Sequence, residues 1–151
     1  MEIERVSTGI VGLDEIMEGG LVKGSVNFLT GRTGTGKTAF SASFLYAGTK
    51  KGEKGLYVTT EETEEDIKND IRSMFNWDFE ELEEKGLIKF LSIRPELPFK
   101  VFSGEEVANV VRLFMSNFRL KIEDTVKKFK PQRVVIDSIS IVENFIKDDY
   151  L

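Results

Sequence analysis

Apolar residues recur along the chain at two different spacings, and the alternation between them predicts strands separated by helices. Short runs rich in β-branched and aromatic residues favour strands over helices. The last of these runs has no polar alternation, so we expect it to be buried on both faces. The predicted strands are SVNFLT (25–30), LYVTT (56–60), LIKFLSI (87–93) and RVVID (133–137).

Between these runs, apolar residues return every three or four positions, which predicts helices that bury one face against the sheet. Capping residues at Thr63 and Ser103 mark two helix starts, and Gly86 and Pro131 mark two ends. Another helix is expected to begin after Ile139. The predicted helices are the segment with Phe40, Phe44 and Ala47, then TEEDIKNDIRSMF, DFEELEEK, and a long segment with Phe114 and Phe118 that ends near Lys130.

The alternation of strands and helices implies an α/β fold, with a mostly parallel sheet covered by helices on both faces. A length of 151 residues suits one domain that spans 1–151. No apolar run approaches the roughly 18 residues that a membrane span requires. The N-terminal residues MEIERVSTG lack the basic and apolar regions of a signal peptide. We therefore expect a cytoplasmic protein with no membrane partner.

Composition narrows the chemistry that the chain can perform. It contains no cysteine and no histidine, which excludes disulfides, thiol nucleophiles and imidazole bases or ligands. Catalysis must therefore use carboxylates, lysine, arginine, hydroxyls, backbone N–H groups or a bound metal ion. The net charge of −5 argues against DNA as a partner, because nucleic-acid binding depends on clustered positive charge.

The segment GRTGTGKT predicts a phosphate-binding loop. It follows an apolar run and begins a helix, where successive backbone N–H groups can surround an anion. Glycines let the backbone approach phosphate oxygens, while Lys37 would reach the β- and γ-phosphates and Thr38 would hold Mg²⁺. The predicted nucleotide-binding residues are Gly31, Thr33, Gly34, Thr35, Gly36, Lys37, Thr38 and Ala39.

Carboxylates follow two of the predicted strands. Asp137 closes RVVID and suits a second contact to Mg²⁺, although an acid there also caps a following helix well. Glu61 and Glu62 follow LYVTT, where a carboxylate could orient or deprotonate an attacking water. The surrounding EETEED is equally consistent with a solvated first turn that favours the helix dipole. Spacing alone leaves both interpretations of the glutamates open.

Together these features resemble the KaiC-like branch of the RecA superfamily of P-loop ATPases. The resemblance is carried by the leader TGIVGLDEIMEGG, the phosphate loop, the Glu-Glu pair and RVVIDSIS, which match in order and interval over nearly the whole chain. It implies a RecA-like core in which Lys37 and Thr38 bind ATP and Mg²⁺ and Asp137 is the Walker B acid. It also implies that Glu61, assisted by Glu62, activates the attacking water.

The resemblance has further implications for assembly. Members of this family form rings, often hexamers, with ATP at subunit interfaces, so a homo-oligomer is implied. The family's ATPase domain continues through further strands, whereas this sequence ends 14 residues after Asp137. The core is therefore expected to be incomplete at the C-terminus, with weak turnover.

Two other functions remain open from the sequence. One is a regulatory or assembly module that binds ATP or ADP with negligible turnover and changes partners with occupancy. The other is transfer of phosphate to a protein hydroxyl, for which Ser138 and Ser140 lie close to the predicted Walker B strand.

Overall fold

Strands and helices alternate along the chain as the sequence pattern predicts. A computed structural model describes residues 3–94 and 104–140. In chain order, the elements are β1 (Arg5–Val6), α1 (Leu13–Ile16), β2 (Leu21–Val22), α2 (Lys37–Thr49), β3 (Gly55–Thr59), α3 (Glu64–Phe75), α4 (Phe79–Glu84), β4 (Ile88–Ser92), α5 (Gly104–Phe129) and β5 (Arg133–Asp137).

The main sheet has three parallel strands in the order β4-β3-β5. The central residue Tyr57 of β3 lies opposite Phe90 of β4 and Val135 of β5. Parallel strands place all their carboxyl ends at one edge of the sheet, so the residues that follow β3 and β5 lie together. The predicted α/β class with a parallel sheet is confirmed.

Helices cover both faces of this sheet, and every residue of β3 is buried. On one face, Tyr57 and Phe90 pack with residues of α2, α3 and α4, including Leu45, Ile67 and Phe79. On the other face, Leu56, Val58 and Ile93 pack against four apolar residues of α5, which are Phe114, Phe118, Ile122 and Val126. The periodic apolar positions of α5 therefore form core contacts, as predicted.

The residues before the phosphate loop form a small antiparallel ribbon of β1 and β2. The sequence pattern did not predict either of these strands. Between these strands, Asp14 accepts hydrogen bonds from the Ser7 hydroxyl at 2.5 Å and from the Thr8 hydroxyl at 2.6 Å. Burial acts to raise the pKa of Asp14, but these hydrogen bonds outweigh it and leave that pKa below its ordinary value. The leader is thus ordered around an ionised carboxylate.

Capping residues set the helix ends much as the sequence predicts. Thr63 accepts a hydrogen bond from the backbone N–H of Asp66 at 3.1 Å and begins α3. The long helix α5 ends at Phe129, just before Pro131. Ser103 and nearly all of the predicted helix after Ile139 lie outside the described residues. None of the described helices combines the length and apolar character that a membrane crossing requires.

Two expectations about the strands are wrong. Residues 25–30 form no strand, and Val26 and Phe28 are 86% and 76% exposed. A strand needs a neighbour for its backbone groups, and no described residues pair with this segment. Moreover, β5 is not buried on both faces: Val134 and Ile136 are exposed, because β5 lies at the sheet edge and α5 packs beside β3.

Candidate nucleotide-binding site

The loop from Gly31 to Gly36 has the compact path that a phosphate-binding loop requires. A Cβ on Gly31 would lie 2.5 Å from the Thr35 hydroxyl oxygen, so a larger residue there would displace the Thr35 side chain. Gly36 has a φ of 95°, in the left-handed region, and is the N-cap of α2. Thr33 and the other loop residues are exposed, so an incoming ligand can reach them.

The N-terminus of α2 presents free backbone donors beside this loop. The first helical hydrogen bond runs from the Phe40 N–H to the Gly36 carbonyl at 2.9 Å. The N–H groups of Lys37, Thr38 and Ala39 therefore have no acceptor within the helix. These N–H groups and the helix dipole favour an anion at this position.

The lysine of the loop is held by the loop itself. Lys37 Nζ donates to the carbonyl oxygens of Gly31 at 2.8 Å and Arg32 at 2.9 Å. The Thr35 hydroxyl also donates to the Arg32 carbonyl, at 2.7 Å. These hydrogen bonds to the loop carbonyls stabilise the turn.

A buried tyrosine connects the start of α2 with the end of β5. The Tyr57 hydroxyl donates to Asp137 Oδ2 at 2.6 Å, and the tyrosine itself is fully buried. Burial raises the pKa of Tyr57 well above its ordinary value, and so do the hydrogen bond to Asp137 and the charges of Asp137 and Glu62. The nearby Thr38 side chain acts in the opposite direction. Thr38, Tyr57 and Asp137 therefore form one polar cluster, close to Glu62.

The two glutamates after β3 differ in their surroundings. Glu61 Oε1 accepts a hydrogen bond from the Ser140 hydroxyl at 3.3 Å. Burial raises the pKa of Glu62, with further contributions from nearby carboxylates, first that of Asp137. Glu62 is therefore a stronger base than an ordinary glutamate. In the part of the chain that the structure describes, no hydrogen bond joins either glutamate to residues 31–38.

Thr60 fixes the end of β3 against the end of β5. Its hydroxyl donates to the Ser138 carbonyl at 2.8 Å and accepts from the Ser138 N–H at 3.2 Å. Its N–H donates to the Asp137 carbonyl at 3.1 Å. Because Thr60 is almost fully buried, these bonds hold the backbone of Asp137 and Glu61 in a fixed relation.

The oxygen donors at this edge suit Mg²⁺ bound together with a nucleotide. Among residues 3–94 and 104–140, no group of three or more acidic side chains forms a metal site by itself. Mg²⁺ in nucleotide sites instead takes one or two protein oxygens together with phosphate oxygens. The Asp137 carboxylate, which is hydrogen-bonded to Tyr57, and the nearby Thr38 hydroxyl supply such donors.

Sequence reasoning missed Tyr57 and Thr60. Tyr57 is the one aromatic residue of β3, between Leu56 and Val58, and a buried phenol needs a hydrogen-bond partner. That requirement was a usable signal for a polar site, but the partner lies 80 positions away and depends on the strand order. Thr60 carried no comparable signal.

Comparisons with known proteins agree with this geometry. The family model described as "ATPase: KaiC" matches residues 6–150. A UPF0273 protein of Pyrococcus horikoshii is 36% identical over 90% of this chain and 55% of its own length. The circadian clock oscillator protein KaiC of Parasynechococcus marenigrum is 36% identical over 94% of this chain and 26% of its own length.

A UPF0273 protein of Methanopyrus kandleri is 47% identical over 58% of this chain and 34% of its own length. The chain thus spans about half the length of these curated relatives or less. The family match covers nearly all of the sequence and includes the phosphate loop, the Glu-Glu pair and Asp137. The chain belongs to the KaiC family of RecA-like P-loop ATPases.

Proposed function

We propose that this chain binds Mg-ATP at the loop of residues 31–38 and hydrolyses its γ-phosphate. The observation that carries the proposal is the polar cluster of Thr38, Tyr57 and Asp137, which brings the start of α2 and the end of β5 together. A glycine-rich turn with only a structural role would not need a half-buried carboxylate close to the helix that follows it.

The loop and the first turn of α2 bind the triphosphate. The free N–H groups of residues 37–39 donate to phosphate oxygens. The Lys37 ammonium gives up its hydrogen bonds to the loop carbonyls and donates to the β- and γ-phosphates instead. Thr38 and Asp137 hold Mg²⁺, which when bound neutralises charge that develops on the phosphates. Thr33 and Thr35 line the same turn.

The two glutamates after β3 activate the attacking water. Glu61 is held by Ser140, and Glu62 has a raised pKa beside Asp137. We assign Glu61 to orient and deprotonate the attacking water, with Glu62 assisting, because both follow β3 at the sheet edge where Asp137 also lies. The same edge position follows from the parallel sheet, in which β3 and β5 end together.

The test combines phosphate release with calorimetric nucleotide binding. Glu61→Gln should lower hydrolysis by about 100-fold or more, in the range for loss of a general base, while ATP affinity stays within a few fold. Glu65→Gln is the matched control, because Glu65 is an exposed acid of the same EETEED segment. Hydrolysis unchanged in Glu61→Gln would contradict the assignment. Binding without hydrolysis in the unmodified protein would favour the regulatory module instead.

We also propose that the chain assembles with further copies of itself. Exposed apolar side chains flank the site: Val26 and Phe28 precede the loop, and Val134 and Ile136 lie on the edge strand β5. Apolar surface of this kind is typical of regions that a partner covers. Light scattering with and without Mg-ATP measures the assembly; a monomer under both conditions would contradict it.

A further inference from the structure

The hydroxyl of Tyr57 contacts one of the two proposed Mg²⁺ ligands directly and lies near the other. It donates to Asp137 Oδ2 over 2.6 Å, and the Thr38 side chain is close by. Thr38 is the second residue of α2 and Asp137 is the last residue of β5. The phenol oxygen thus lies between the start of the helix that follows the loop and the strand that ends in the acid.

Packing alone does not account for this hydroxyl. The ring of Tyr57 stacks on Phe90 with centroids 5.4 Å apart and belongs to the apolar cluster beneath α2. A phenylalanine would fill that space with the same ring. The hydroxyl adds a polar atom to a fully buried position, which is unfavourable unless the atom is hydrogen-bonded.

We propose that Tyr57 is a positioning residue that holds the side chain of Asp137 in the orientation that binds Mg²⁺ together with Thr38 and the nucleotide. This inference rests on the proposed function. The phenol donates to Oδ2 of Asp137 and so restricts the rotation of the carboxylate. Partners of this kind orient metal ligands and tune metal affinity.

The experiment measures how much Mg²⁺ strengthens nucleotide binding. Calorimetry gives the affinity for ADP in excess Mg²⁺ and in EDTA, for the unmodified protein and for Tyr57→Phe. We expect Tyr57→Phe to reduce the Mg²⁺ enhancement by about 10-fold to 100-fold, the usual effect of losing a group that orients a metal ligand. Its affinity in EDTA should stay within about twofold, since the loop itself is unchanged.

Tyr46→Phe is the matched control. It removes the same atom from a tyrosine in the body of α2, where the ring stacks on Trp77 at 4.0 Å. We expect it to leave the Mg²⁺ enhancement unchanged. Asp137→Asn should abolish the Mg²⁺ enhancement of ADP affinity. Adding Tyr57→Phe to Asp137→Asn should change that affinity little further, because both changes act on one hydrogen-bonded pair.

Three results would overturn the inference. Equal losses for Tyr57→Phe in Mg²⁺ and in EDTA would show a purely structural role, and no loss in either would show no role. An additive double variant would show that the hydroxyl acts independently of Asp137. Absence of ADP or ATP binding by the folded, unmodified protein is a different failure, because it would overturn the proposed function together with this inference.

Discussion

Arg133 and Glu53 form an ion pair at the edge of the sheet where β3 and β5 begin, with Arg133 Nε donating to Glu53 Oε2 at 2.6 Å. The Arg133 side chain is only 2% exposed. Its Nη1 also donates to the carbonyls of Ser7 and Phe44, each at 2.7 Å. One guanidinium group thereby connects the leader, α2, the turn before β3 and the start of β5.

Loss of this guanidinium should destabilise the whole fold. Arg133→Met leaves the carbonyls of Ser7 and Phe44 and the carboxylate of Glu53 without their donor. Removing one partner of a buried pair costs about 3–5 kcal/mol, so we expect the free energy of unfolding to fall by about 3 kcal/mol or more. Urea denaturation measures the change.

The matched control for this variant is Lys85→Met. Lys85 pairs with Glu81 one helical turn away, and both side chains are 58% exposed. Exposed pairs contribute about 0–1 kcal/mol, so this variant should change the free energy of unfolding very little. Similar losses for Arg133→Met and Lys85→Met would contradict the structural role of Arg133.

Glycine at position 36 should matter for nucleotide binding beyond its effect on stability. Gly36 and Gly86 have φ of 95° and 70°, and neither has a neighbour within 4 Å of an added Cβ. Alanine at either position costs roughly 1–2 kcal/mol of backbone energy. Gly36→Ala should also weaken ATP binding by about tenfold or more, because relief of the strain moves the loop N–H groups. Gly86→Ala should leave the calorimetric affinity unchanged, and equal affinities for both variants would argue against a phosphate-binding loop.

The raised pKa of Glu62 gives stability a defined dependence on pH. Its ordinary pKa is 4.5, and burial and the Asp137 charge raise it in the folded protein. The folded state therefore holds this proton to higher pH than the unfolded state, so the Glu62 contribution becomes less favourable as pH rises above 4.5. Glu62→Gln removes that penalty and should gain stability relative to the unmodified protein between pH 4 and pH 7. Urea denaturation midpoints at pH 4 and pH 7 measure the gain. A difference between the variant and the unmodified protein that is the same at both pH values would contradict the raised pKa of Glu62.

Local chemistry explains how much of the site could be predicted from sequence. The loop residues are consecutive, so their pattern alone predicts a compact glycine-rich turn and the free donors at the start of α2. The capping role of Thr63 depends on Asp66, three positions away, and was also predictable. Both cases depend on neighbours in sequence, for which side-chain type is decisive.

Long-range contacts explain what could not be predicted. The bond from Tyr57 to Asp137 requires that β5 lie beside β3, a strand order that periodicity does not reveal. The failed strand at residues 25–30 has the same cause, since an apolar run becomes a strand only beside an edge that accepts it. Burial of Arg133 likewise arises from three separate segments meeting.

The attachment of Lys37 to the carbonyls of Gly31 and Arg32 has a consequence for ligand selection. A ligand displaces these carbonyls from the Lys37 ammonium only if it offers stronger hydrogen-bond acceptors than two neutral oxygens. Anionic phosphate oxygens do so, because charge-assisted hydrogen bonds are roughly twice as strong as neutral ones. An uncharged nucleoside offers no such acceptors, so Lys37 would keep its hydrogen bonds to the loop carbonyls. Under the proposed function, this arrangement therefore favours phosphorylated nucleotides over dephosphorylated compounds, whatever their base or sugar.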